Sequence, residues 1–139
     1  MNEAVNHPKH YTQHPSGIEC IEVTRHMSFC LGNAFKYVFR HQGKGKPIED
    51  IDKAIWYLRY EIGNNTNSNL PSFSFVARSL IHEIYKCESE QALKSIYLQF
   101  YRVSCLGGQG ESCRKEALQG LVASVEIYAS DFMSESNET

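Results

Sequence analysis

Apolar residues recur along this chain at helical spacing, and almost nowhere do they alternate as in a strand. Ile18, Cys20, Ile21 and Val23 predict a short helix ending near Met27. Leu31, Ala34, Phe35 and Val38 form one stripe of a second helix over about 29–41, which leaves Asn33, Lys36, Tyr37 and Arg40 together on the other side. Gly43 and Gly45 stop it. Pro47 suits the first position of a third helix, with Glu49, Asp50 and Asp52 at its positive end. Ile48, Ile51, Ile55, Leu58 and Ile62 make its apolar stripe, while Asp50, Lys53 and Tyr57 share a different face.

The polar, helix-averse run Gly63-Asn64-Asn65-Thr66-Asn67-Ser68-Asn69 is the clearest internal boundary. Beyond it, Val76, Leu80, Ile81 and Ile84 predict one helix, and Leu93, Ile96, Tyr97, Phe100 and Val103 another. A glycine-rich break at 107–110 follows. Leu118, Leu121, Val122, Val125, Tyr128 and Phe132 predict the last helix, with a frayed tail over 134–139. Before residue 18, His7-Pro8, His14-Pro15 and Gly17 exclude regular helix and predict an extended arm. The expected fold is all-α. A three-helix domain with an N-terminal arm spans 1–62, a linker spans 63–72, and a second unit of about three helices spans 73–139.

The 139 residues suit one compact domain or two closely packed sub-domains. Net charge is −2, with a balance of +1 over 1–62 and −3 over 63–139. That balance argues against general nucleic-acid binding, which needs a larger basic surplus. No apolar run reaches membrane-spanning length and the N-terminus is polar, so a cytosolic protein without membrane partners is expected. Five cysteines with no CxxC pair read as free thiols, Cys20 and Cys30 as small core residues.

Charge changes the picture in one place. Between Glu22 and Glu49 there is no acidic residue, yet Arg25, Lys36, Arg40, Lys44 and Lys46 fall inside. Lys36 and Arg40 stand about one helical turn apart, so both heads can reach one phosphate; Arg grips two oxygens and Lys acts as a mobile point charge. Asn33 adds an amide, and Lys44 and Lys46 approach from the glycine-rich turn. Gly43-Lys44-Gly45-Lys46-Pro47 is not a Walker loop: the spacing is too short and no Ser or Thr follows the lysine. In the arm, His7 and His10 could donate to a phosphate or transfer a proton, and Tyr11 could stack on a base. A metal set of His7, His10 and His14 lacks supporting Asp or Cys at metal spacing. Trp56 beside Ile55 reads as packing; Tyr37 and Tyr57, on polar faces, are stacking candidates. Asp50 either pairs with Lys53 or orients a substrate hydroxyl.

The segments Asn6-His7-Pro8-Lys9-His10-Tyr11, Gly17-Ile18-Glu19-Cys20-Ile21-Glu22, Gly32-Asn33 with Lys36-Tyr37 and Arg40, and Gly43-Lys44 with Glu49-Asp50, Lys53-Ala54 and Tyr57-Leu58 occur in fixed order over 5–62. Together they resemble a family of short phage and prophage proteins of unknown function, one branch of which is described as an atypical nucleotide kinase. The resemblance implies a nucleotide partner, as mono- or triphosphate, phosphoryl transfer to a deoxynucleoside monophosphate, a homo-oligomer, and a place in the bacterial host cytoplasm. It implies nothing for 63–139. In that reading Asn33, Lys36, Arg40, Lys44 and Lys46 hold phosphate, His7, His10 and Asp50 do the chemistry, and Tyr11 or Tyr37 stacks on the base. No cofactor is certain; magnesium is the candidate. One alternative is a non-enzymatic phage protein that inhibits a host or defence factor. Another takes Glu19, Glu22, Glu49 and Asp52 as the magnesium-binding layout of an all-helical nucleoside triphosphate pyrophosphohydrolase.

Overall fold

A computed structural model describes residues 14–43, 45–64, 75–105 and 111–137, without the side chains of 111–112 and 135–137. The arm residues His7, His10 and Tyr11, the turn residue Lys44 and most of the Asn-rich linker lie outside them. Every element among the described residues is helical: α1 (Cys20–Thr24), α2 (Phe29–Arg40), α3 (Pro47–Asn64), α4 (Phe75–Cys87), α5 (Gln91–Cys105) and α6 (Glu111–Asn137). No described helix is long and apolar enough to cross a membrane.

Local chemistry starts the first two helices where the pattern places them. At the head of α1 the Glu22 carboxylate accepts the Glu19 backbone N–H at 2.7 Å, one arm of a capping box. Ser28 caps α2: its Oγ accepts from the Leu31 N–H at 3.4 Å and donates to Glu61 Oε1 at 2.9 Å. After α2 the chain turns through Gly45, whose φ of +76° places it in the left-handed region that a Cβ disfavours. Pro47 then opens α3.

α2 and α3 form an antiparallel hairpin, α4 and α5 form another, and α6 packs on both α3 and α5, while α1 touches α2 and α4. A single apolar cluster runs through all of this, from Leu31, Phe35, Ile51 and Leu58 to Ile81, Ile96, Phe100, Leu121 and Val125. Phe35 joins the halves directly, with ring centroids 5.1 Å from Phe100 and 5.9 Å from Tyr97.

The stripes expected on α2 and α5 are buried in full. Elsewhere the pattern needs correction. Trp56, expected to pack, is 58% exposed. Ile21 and Val76 also face outward, and the buried series of α4 runs through Ala77, Ile81 and Ile84. On α3, Ile48 lies at the surface, and Ala54 and Glu61 complete the buried row. The frayed tail expected from residue 134 is helical as far as Asn137; Phe132 anchors this end against the His41 ring, 6.4 Å away.

Candidate functional site

The α2–α3 hairpin brings together residues ten or more positions apart in the chain. Because α2 turns its apolar stripe to the core, Lys36, Tyr37 and Arg40 emerge on its flank beside α3. There the Tyr37 ring collects three cations: Lys36 Nζ and the Arg40 guanidinium carbon each lie 4.6 Å from its centroid, and Lys53 Nζ lies 5.4 Å away. Tyr57 of α3 stacks on it at 6.0 Å with rings 15° from parallel, and Phe29 meets Tyr57 edge-on at 6.1 Å.

Two carboxylates temper this charge. Asp50 is 4% exposed and faces Arg40 at 3.8 Å. Arg40 Nε and Asp50 Oδ2 make no hydrogen bond despite being buried. Glu49, at the surface, is bracketed by Lys53 at 3.3 Å and Lys46 at 3.9 Å. Among the described residues, Lys36, Arg40, Lys46 and Lys53 thus stand against Asp50 and Glu49, a surplus of two positive charges. Lys36 makes no ion pair among the described residues. The field reaches Cys20 of α1: burial pushes its thiol up to about 12, while Lys36 and Arg40 pull the other way.

Of the residues expected at this site, Lys36, Tyr37, Arg40 and Asp50 converge, and Lys46 joins through Glu49. Asp50 meets Arg40, whereas Lys53 takes Glu49. Asn33 spends an amide hydrogen on the Phe29 carbonyl at 2.7 Å, one turn back on its own helix. His7, His10, Tyr11 and Lys44 fall outside the described residues. Lys53 is the cation that pattern reasoning left out. It sits one turn before Tyr57 on the polar face of α3, and only the hairpin shows which helix faces it.

Other polar groups that could have carried chemistry are structural. His14 is held in a turn, its Nδ1 2.8 Å from Ser16 Oγ and its Nε2 3.2 Å from Glu88 Oε1, with its ring stacked on Phe39 at 5.3 Å. The buried His41 lies 2.7 Å from the Tyr128 hydroxyl through Nε2, and its Nδ1 points at the Val38 carbonyl. Val38 can only accept, so Nδ1 carries the proton and Nε2 accepts from Tyr128. Burial lowers the pKa of this imidazole, which keeps it neutral. Among the described residues no three His, Cys, Asp or Glu gather as metal ligands. Glu19 and Glu22 cap α1 and Glu49 pairs with Lys46 and Lys53, and no three of the pyrophosphohydrolase layout's carboxylates Glu19, Glu22, Glu49 and Asp52 gather as a metal site.

No curated protein and no solved structure matches the chain. Residues 5–59 match the model of a family described as a protein of unknown function, DUF3310. That segment ends inside α3 and contains every member of the cation cluster from Lys36 to Lys53.

Proposed function

We propose that the α2–α3 flank binds a nucleotide through its phosphate. The observation that carries this reading is the gathering of Lys36, Arg40 and Lys53 on the Tyr37 ring with a surplus of positive charge. Gathering Lys36, Arg40 and Lys53 around one ring serves no packing purpose, and like charges this close repel unless further negative charge joins Asp50 and Glu49 among them. Lys36 and Lys53 are the mobile contacts. Lys53 can leave Glu49 readily, because an exposed ion pair contributes at most about 1 kcal/mol, whereas a phosphate brings more charge and more acceptors. Arg40 is held by Asp50, so Asp50 acts on the ligand by fixing the guanidinium. The Tyr37–Tyr57 stack supplies an aromatic edge for a base.

The reaction proposed is the one that the resemblance of residues 5–62 to the kinase branch of the phage family implies: transfer of a phosphoryl group to a deoxynucleoside monophosphate. Such chemistry depends mainly on positioning and charge neutralisation, which suits a cation cluster.

The test is thermal unfolding with a panel of nucleotides, with and without magnesium. At a hundredfold excess over Kd, binding adds about 2.7 kcal/mol, a shift of several degrees. The double variant Lys36→Ala/Lys53→Ala should unfold near the wild-type temperature and lose that shift. Stabilisation that survives in the double variant puts the ligand elsewhere. A wild-type chain indifferent to every nucleotide and to inorganic phosphate would reject the reading and favour a protein that acts by contacting a host factor.

A further inference from the structure

The face of α3 that turns away from both α2 and the core is built unlike an ordinary solvated helix surface. Ile48, Asp52, Ile55, Trp56, Arg59 and Gly63 fall within an arc of roughly 100° on the helix. Trp56 and Ile48 are 58% and 37% exposed, and Ile55 is half-buried at the rim of the core. Trp56 stacks on Tyr60, itself 47% exposed, with centroids 5.4 Å apart. Asp52, Ile55, Trp56, Arg59 and Tyr60 line one open depression of about 630 Å3. A held, exposed Trp–Tyr pair beside an Arg is the composition of an interface centre, because these side chains desolvate large areas at low entropic cost.

The order of these residues identifies the occupant. The pattern is symmetric about the midpoint between Ile55 and Trp56: Asp52 stands as far before it as Arg59 stands after it, and Ile48 as far before as Gly63 after. An antiparallel copy of the same helix, related by a two-fold axis through that midpoint, sets Asp52 of each copy against Arg59 of the other. It also sets Ile55 against Trp56, and Ile48 against Gly63, where a side chain would meet nothing within 4 Å in the single chain. Residue i meeting j while j meets i is the signature of an isologous contact. We infer that this face of α3 pairs with the same face of a second copy of the chain. Arg59 already contacts Glu126 of α6, and its guanidinium carries five donors, so it can serve both carboxylates. This pairing does not rest on the nucleotide reading, although the two surfaces adjoin where Trp56 meets Tyr57 edge-on at 5.1 Å.

Sedimentation or light scattering of the whole chain tests it. Wild type should have the mass of two chains, and Trp56→Ala should weaken association at least about tenfold. Asp52→Arg and Arg59→Asp should each be monomeric, since each sets like charges face to face. Mixing the two single variants in equal amounts should restore a dimer of one chain of each kind, because every facing pair is then of opposite sign. Helical circular dichroism equal to wild type excludes misfolding as the cause of monomers. A wild type that stays monomeric at about 100 μM, well above the Kd of an ordinary specific interface, overturns the inference. So does a dimer untouched by Trp56→Ala, or a mixture that fails to reassociate.

Discussion

His41 shows how one side chain takes its role from its surroundings. It follows the last residue of α2, where a histidine on a basic stretch invites a ligand-facing reading, yet it is 1% exposed. Burial lowers its pKa below 6.5; the hydrogen bond to Val38 and the carboxylates of Glu90, Asp50 and Glu88 oppose that shift without cancelling it. The unfolded chain therefore takes up this proton first. The contribution of His41 to stability is complete above its unfolded pKa of 6.5 and is lost as pH falls below that value. Replacement by Asn should cost stability near pH 8, and that deficit should shrink between pH 7 and pH 5. Chemical denaturation of both proteins across this range checks it; a deficit that grows on acidification would contradict a neutral buried imidazole.

Glu61 makes the same point for elements. It lies one turn after Leu58 on the buried row of α3, so an apolar stripe there contains a carboxylate. Its Oε1 accepts from the Ser28 cap of α2 and from Arg114 of α6 at 3.3 Å, so one atom ties three helices together. Removing one partner from a buried ionic group typically costs about 3–5 kcal/mol. Glu61→Ala should therefore lower the urea midpoint by that free energy with an unchanged m-value. The apolar stripe read from the sequence, 48, 51, 55, 58 and 62, passed over Glu61, because a charged side chain does not declare itself as buried. It could not say which donors would meet the carboxylate, because those belong to other helices.

For the whole molecule the decisive fact is that the apolar cluster crosses the Asn-rich segment. Phe35, Ile51 and Leu58 from the first half and Tyr97, Phe100 and Leu121 from the second belong to one core. α6 lies on both α3 and α5. A fragment of residues 1–64 would expose the face of α3 that α6 covers, and a helical hairpin of that size has little core of its own. It should therefore lack a cooperative unfolding transition, while the whole chain shows one. Calorimetry or hydrogen exchange of the fragment decides the matter, and a sharp transition would mean that the first half folds alone.

Read from its residues alone, this chain already declares its helices, because the 3.6-residue period of Leu31, Ala34, Phe35 and Val38 and of Leu93, Ile96, Tyr97, Phe100 and Val103 is a local property. The concentration of Lys36, Arg40 and Lys46 near one turn is equally local. What required the tertiary structure was every relation between helices: Lys53 joining Lys36 and Arg40 at Tyr37, Asp50 turning to Arg40, His41 meeting Tyr128, and Trp56 left in solvent. Periodicity states which side of a helix is apolar. Which neighbour covers that side, and which flank stays open, depends on contacts between distant segments, and those are settled only when the helices pack.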